Sequence, residues 1–292
     1  MKNSGNNAWF PPNAKLGIIG GKGEMGRLFQ RFFEKRGYHV EIADLDTPKN
    51  AREVIESSNV VIFSVPLHLT VKIIEEHAHH LTDSHLVMDL SSLKVEPIQA
   101  MLKSRASVVG LHPMFGGKVS SFAGQTIIAC PVRIDPSIWE RFKLEFEAEG
   151  MVVRECSPEK HDELMAIIQV LFHISTMIQG RVIRELGIDI EETLKYTSPV
   201  YRMEISILGR MFAQSGWLYG AISQMNPYTP RIVALMQEIL VEYLQWLKSK
   251  NLRAFVDDFD KTKDHLGSFC ARAYEESSQL LELTSSLLRS RC

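Results

Sequence analysis

The segment KLGIIGGKGEMGRLF (15–29) constrains the fold of this chain more than any other stretch. An apolar run of strand length, residues 15–20, leads straight into Gly21-x-Gly23-x-x-Gly26, and a helical pattern begins among the glycines. Strand, glycine turn and helix in that order form the opening unit of a doubly wound α/β domain, with a helix N-terminus facing phosphate. Gly21 allows the tight turn, Gly23 lets a pyrophosphate approach the backbone, and Gly26 lets helix and strand pack closely. Glu24 and Met25 start the helix beside that phosphate site. Asp44 follows 18 residues after Gly26, at the end of the second apolar run, where an acidic side chain holds a ribose. Asp46 adds a second negative charge and no arginine follows nearby, so the pattern favours NAD over NADP.

The runs KLGIIG, HVEIAD, VVIFSV, HLVMDL and VVGLH are short and rich in Val, Ile and Leu, and helical patterns separate them. This alternation predicts a parallel sheet covered on both faces, a Rossmann-type arrangement. QTIIAC (125–130) and MVVREC (151–156) extend the sheet around a helix over 136–149. Gly37 is placed to end the first helix, and Thr47-Pro48 to begin the second. The pattern changes after Cys156. Ser157-Pro158-Glu159 is a helix start, and apolar residues then recur at helical spacing through Leu164, Ile167, Ile168, Leu171 and Ile174. The expected division is a lead-in over 1–13, a nucleotide-binding domain over 14–156 and an all-helical domain over 157–292. The first helix of the latter could run to Gly187, about 45 Å. A helix that long and apolar suits burial against a second copy, hence a homodimer.

Composition excludes several classes. A net charge of −2 shows no nucleic-acid footprint in the totals. Four scattered cysteines without a C-x-x-C pair suit a reduced, cytoplasmic protein. No continuous apolar run approaches the roughly 18 residues of a membrane span. The polar N-terminus has no apolar core of a secretion signal. His77, His79, His80 and His85 invite a metal reading, but they lie far from the strand ends and read as solvated; no metal is expected.

In open α/β sheets, ligands bind beyond the carboxyl ends of the strands. Those ends carry Ser64-Val65-Pro66, assigned to the cofactor, then Asp89 to Lys94, then His112-Pro113. His112 is placed to exchange a proton with a substrate hydroxyl while hydride leaves the same carbon. Ser92 could orient its imidazole. A satisfied core histidine and a helix-capping serine are the plain alternatives, and proximity to a dinucleotide turns the balance toward catalysis.

IIGGKGEMGRLFQRFFEKRGY, VVIFSVPLH, VMDLSSLK, VVGLHPMFG, EKHDELMAIIQVLFH and SPVYRMEISILGRMFAQ together resemble prephenate dehydrogenase. The likeness is greatest to the dehydrogenase part of the bifunctional chorismate mutase/prephenate dehydrogenases, and it runs from about Lys15 into the last helices. It implies NAD-dependent oxidative decarboxylation of prephenate to 4-hydroxyphenylpyruvate, a step of tyrosine biosynthesis, with tyrosine as inhibitor. His112 becomes the base for the ring hydroxyl, and Arg210 in GRMFAQ binds a substrate carboxylate. Arg202 and Lys94 are further candidates for anionic contacts, although a surface ion pair suits Lys94 equally. Gln169 and His173, four residues apart, share a helix face; the resemblance puts His173 near substrate or tyrosine. His161 also matches a family histidine, with a helix-terminus role equally open. Mutase activity is not expected. Rival readings are an arogenate or broad cyclohexadienyl dehydrogenase, and a non-catalytic regulator that binds NAD and tyrosine. A β-hydroxyacid dehydrogenase is disfavoured, since no lysine stands between Lys160 and Lys195 to serve as its catalytic residue.

Overall fold

The computed structural model describes residues 14–289. The lead-in expected over 1–13 lies outside the described residues. Seven strands form one sheet: β1 (Lys15–Ile19), β2 (His39–Ala43), β3 (Val60–Phe63), β4 (Leu86–Asp89), β5 (Ser107–Pro113), β6 (Thr126–Arg133) and β7 (Val152–Glu155), in the order β2-β1-β3-β4-β5-β6-β7. The chain leaves β1 to one side for β2 and returns to the other side for β3. That reversal opens a crevice at the carboxyl ends of β1 and β3, directly over the glycine turn.

Both faces of the sheet are dry. Leu16, Ile18, Val60, Ile62, Leu86, Met88, Val109 and Leu111 enter one core, while their neighbours Ile19, Val61, Phe63, Val87 and Val108 enter the other. Strands buried on both sides need apolar residues at successive positions, hence the continuous Val/Ile/Leu runs. The first core is closed by α1 (Glu24–Lys35) and α5 (Pro136–Glu147), through Phe29, Phe32, Phe33, Phe142 and Phe146. The second is closed by α2 (Ala51–Glu56), α3 (Leu67–His77) and α4 (Val95–Leu102).

Local chemistry sets the element ends. At Gly37, φ is +88°, Tyr38 N–H donates to the Phe33 carbonyl at 3.1 Å, and the two rings meet edge-on, a Schellman stop. The second helix begins at Asn50 rather than at Thr47-Pro48. Asn50 accepts from Glu53 N–H while Glu53 reaches back to Asn50 N–H, a capping box. Thr47 instead pins the preceding turn, accepting from Asp44 N–H at 2.8 Å.

The sheet is not wholly parallel, as the alternation predicted. β6 runs antiparallel to β5, with His112 opposite Ile128. The connection 114–125 contains no helix, and a parallel return requires a crossover that usually supplies one. The helix α5 does supply it between β6 and β7, which pair in parallel.

Chain contacts divide the described residues into two compact units, 14–169 with 220–228, and 170–219 with 229–289. The first therefore takes in α6 (Pro158–Met165), started by Ser157 accepting from Lys160 N–H, and most of a π-helical turn (Ala166–Leu171). It also takes the second half of α10 (Gly216–Met225). The second unit holds α7 (Phe172–Glu185), α8 (Ile190–Leu194), α9 (Pro199–Phe212), α11 (Thr229–Ser249), α12 (Leu252–Leu266) and α13 (Phe269–Arg289). Within it, a Cβ at Gly180 would lie 2.4 Å from the Phe212 ring, so glycine lets α7 and α9 close up. Continuity of α6, the π turn and α7 makes Pro158–Glu185 long and apolar enough to cross a membrane by length and composition alone, with a mean hydropathy of 1.4. No unbroken run in the linear sequence foretold this, because His161, Asp162 and Gln169 interrupt the apolar residues.

Phe146 touches Phe29, Phe32, Phe33 and Phe142 with none of its side chain exposed. Phe146→Ala is expected to cost about 3–5 kcal/mol of stability, read from urea unfolding.

Candidate active site

The glycine turn has the shape a dinucleotide needs. The positive φ falls at Gly20, at +82°, where a Cβ would lie 2.5 Å from the Ser64 carbonyl oxygen and 2.9 Å from Val65. Ser64 and Val65 thus form the opposite wall of the crevice, and Pro66 precedes α3. A Cβ at Gly26 would meet Gly20 O at 2.6 Å, and one at Gly21 would meet Ile42 at 2.5 Å, so both glycines are required by packing. At Gly23 the nearest neighbour would be 3.4 Å away, leaving that position open to a ligand. The helix α1 has no side-chain cap, so its first-turn amides remain available to a phosphate. Met25 packs on the core, while Glu24 is exposed and pairs with Lys118 at 3.1 Å. Asp44 accepts from Lys22 N–H at 2.9 Å and from Leu45 N–H at 2.9 Å, one bond on each oxygen, and keeps lone pairs for a ribose.

His112 lies near the carboxyl end of β5 and is 3 % exposed. Its Nδ1 is 2.9 Å from His161 Nε2, and His161 Nδ1 is 2.7 Å from Asp162 Oδ1. A carboxylate only accepts, so His161 donates through Nδ1. A neutral His161 must then accept at Nε2, which obliges His112 to carry its proton on Nδ1. The remaining nitrogen of His112, Nε2, is left with a lone pair and faces only the Gln169 amide nitrogen, at 3.4 Å. Burial, then the neighbouring His161, then Lys94 hold the His112 imidazole well below its ordinary pKa of 6.5. Burial also lowers His161, against the opposing pull of Asp162. The arrangement is a neutral base of fixed tautomer, aimed by a second histidine and a carboxylate.

Two expectations change. The orienting partner of His112 is His161 and not Ser92, whose hydroxyl makes no bond to the imidazole among the described contacts. His161 lies 49 residues away in the chain, and only the packing of α6 on the strand ends brings it to β5. Lys94 is not a surface cation waiting for substrate. It has no exposed surface, and its ammonium binds Asp89 and donates to the Leu111 carbonyl at 2.8 Å. Gly110 makes room for its stem, since a Cβ there would lie 2.9 Å from Lys94 Cδ. An ammonium so enclosed cannot reach a substrate anion without unpacking β5.

Asp162 joins these parts. Besides His161 it accepts from Lys94 N–H at 2.8 Å and Val95 N–H at 3.0 Å, capping α4, which has no cap of its own. Asn226, missed in the sequence, donates to the Asp162 carbonyl at 2.9 Å and is 1 % exposed. Nothing in its local pattern, QMNPY, distinguishes it from a turn residue.

The second unit contains the other candidates. His173 lies edge-on to Tyr219 with ring centres 4.7 Å apart, and its Nδ1 is buried without a partner. Gln169 and His173 therefore engage different partners. The π turn spreads its bonds to i+5, so a four-residue spacing no longer stacks side chains as it would in an α-helix. Arg210 is exposed in the last turn of α9 and Arg202 stands in its first; neither forms an ion pair among the described residues. Gln214 donates to the Tyr219 hydroxyl at 2.9 Å, and burial raises that phenol's pKa. Elsewhere, the His79 and His80 rings lie 3.9 Å apart and tilted, and His80 lies 3.2 Å from Glu56; His85, read as solvated, is instead buried and held by Thr82 and the Ile55 carbonyl.

Comparison with known proteins gives concordant matches. Residues 28–150 match the family model described as prephenate dehydrogenase, nucleotide-binding domain, and residues 157–261 match prephenate dehydrogenase, dimerization domain. The T-protein of Haemophilus influenzae is 33 % identical over 94 % of this chain and 72 % of its own length. A probable arogenate/prephenate dehydrogenase of Methanocaldococcus jannaschii is 32 % identical over 94 % of this chain and 66 % of its own. Among solved structures, prephenate dehydrogenase from A. aeolicus in complex with hydroxyphenyl propionate and NAD+ superposes with a TM-score of 0.69 at 18 % identity, covering 86 % of this chain and 96 % of that one. Synechocystis arogenate dehydrogenase superposes with a TM-score of 0.63 at 15 % identity, covering 87 % and 100 %. At those identities the superpositions speak for the fold.

Removing the buried cation should expose its structural role. Lys94→Met is expected to destabilise the protein by about 3–5 kcal/mol, because Asp89 is left charged and unpaired. Asp89→Asn combined with Lys94→Met should recover much of that loss in urea unfolding.

Proposed function

The chain belongs to the prephenate dehydrogenase family, and from that premise we propose that it oxidatively decarboxylates prephenate to 4-hydroxyphenylpyruvate with NAD. One observation carries the reading: His112 presents an unprotonated Nε2 at the carboxyl end of β5, with its tautomer imposed by His161 and Asp162. A bound nicotinamide supplies the hydride acceptor. The open Gly23, the uncapped α1 and Asp44 are the residues that would hold the cofactor. The two carboxylates at 44 and 46, with no arginine beside them, support NAD over NADP.

His112 Nε2 takes the proton of the ring hydroxyl as the carbon that bears it is oxidised. The ring then loses its carboxylate as carbon dioxide and becomes aromatic, which drives the step. Gln169 lies within reach of the same nitrogen and is displaced, or shared, when a hydroxyl arrives. Arg210 is assigned to a substrate carboxylate, with Arg202 as a second cation; neither forms an ion pair among the described residues. His173, with its unpartnered Nδ1, is assigned to substrate or to inhibitory tyrosine.

The protein is proposed to act as a homodimer. The helix α11 has no buried residue, and its Leu235, Leu240 and Leu247 are 52 %, 56 % and 65 % exposed, an apolar cost that a second copy would remove. The cytoplasm is proposed as its compartment, where Cys130, Cys156 and Cys270 persist as the free thiols they are here. Arogenate is the second reading, favoured by the M. jannaschii relative, whose name carries both substrates.

The decisive assay follows NADH absorbance with prephenate and arogenate side by side, with and without tyrosine. Prephenate should give the higher kcat/KM; a strong arogenate preference would replace the first reading with the second. His112→Asn should keep NAD binding and lose about 10²–10⁴-fold in kcat. The base must be neutral and its pKa is lowered, so activity should persist as pH falls through neutrality. It should decline only below the ordinary imidazole value of 6.5. An acid limb centred above that value would remove His112 as the base.

A further inference from the structure

The centre of the glycine turn is a lysine, and its charge is already spoken for. Lys22 fills the variable position of Gly21-x-Gly23, and its backbone N–H donates to Asp44 at 2.9 Å. Its ammonium turns to Asp46 instead, 2.7 Å from Oδ1. The turn that presents Asp46 is held by Thr47, whose hydroxyl accepts from Asp44 N–H at 2.8 Å. Lys49, two residues further on, is bound to both oxygens of Glu41 at 2.8 and 2.7 Å. Besides the Lys49–Glu41 pair, two carboxylates, Asp44 and Asp46, and one ammonium, that of Lys22, therefore stand together at the carboxyl ends of β1 and β2. In this architecture that is where the adenosine ribose of a dinucleotide is held.

We propose that Lys22 is a latent ligand for a 2′-phosphate, kept out of use by Asp46, and that the pair acts with Asp44 to select NAD over NADP. The inference rests on the dinucleotide reading of the glycine turn. With both aspartates ionised, the cluster carries one net negative charge, which tolerates neutral ribose hydroxyls and repels a phosphate dianion. The Lys22 ammonium holds the Asp46 carboxyl below its usual range, so Asp46 stays charged at neutral pH. Neutralising Asp46 cancels the net charge and frees an ammonium on a flexible stem beside the ribose site. The pair is loose: the Lys22 and Asp46 side chains are 39 % and 74 % exposed. Exposed ion pairs contribute little to stability, so its substitution should alter selectivity without unfolding the domain.

Calorimetric titration of the full chain with NAD+, NADP+ and adenosine 2′,5′-bisphosphate tests this. The proteins compared are wild type, Asp46→Asn, Lys22→Met and the double variant. Asp46→Asn should lower the ratio Kd(NADP+)/Kd(NAD+) by about fivefold and tighten the bisphosphate, both effects fading with added salt. Lys22→Met in the same protein should abolish the gain. An unchanged ratio in Asp46→Asn, or a gain that survives loss of Lys22, overturns the proposal. Absence of NAD+ binding to the wild type would overturn the NAD reading itself. The bisphosphate, which lacks the nicotinamide half, would still report on Lys22.

Discussion

The carboxylate of Asp162 is the contact on which the site depends. It caps α4 through Lys94 N–H and Val95 N–H, and it fixes the His161 tautomer through Nδ1. One buried anion thus ties the start of a sheet-covering helix to the orientation of the His112 imidazole. Its negative charge is offset by α4's N-terminal amides, and the nearby Lys94 ammonium is in turn neutralised by Asp89. Buried charges survive only when each is paired and hydrogen-bonded, and here the partners come from α4, α6, β5 and the end of β4. Asn226, just past α10, grips the backbone of Asp162 itself.

This arrangement explains why the first compact unit extends past the sheet to Gln169. The helix α6 could have opened the helical domain, as the change of pattern at Cys156 suggested. Instead His161, Asp162 and Met165 bury themselves against the strand ends, and the following π turn brings Gln169 to His112. A π turn widens the helix by one residue and is common where a side chain must be re-aimed. The polar residues that interrupt an otherwise apolar helix are therefore the ones that build the site.

How far the site could be read beforehand depends on the range of the interactions. The glycine turn, Asp44 and the Schellman stop at Gly37 were legible because each rests on neighbours close in sequence or on a backbone angle that favours glycine. His112 was legible from its position at a strand end. Its partner was not, because His161 lies 49 residues away and reaches the imidazole only once α6 is folded back. Lys94 was misjudged for the same reason. A lysine after a strand end usually reaches water, and only Gly110 and Asp89, brought beside it by β4 and β5, create a cavity that holds it.

Residue order settled what short-range physics controls: seven apolar strands, the helices between them, the glycine turn and the histidine at the end of β5. Tertiary structure alone settled the antiparallel return of β6, the enclosure of Lys94 and the proton tautomer of His112. The tautomer depends on His161, 49 residues away, and the enclosure of Lys94 on a carbonyl 17 residues away on another strand. Electrostatics in a dry interior is decided by whichever partners folding brings within about 3 Å, and no local pattern encodes that list.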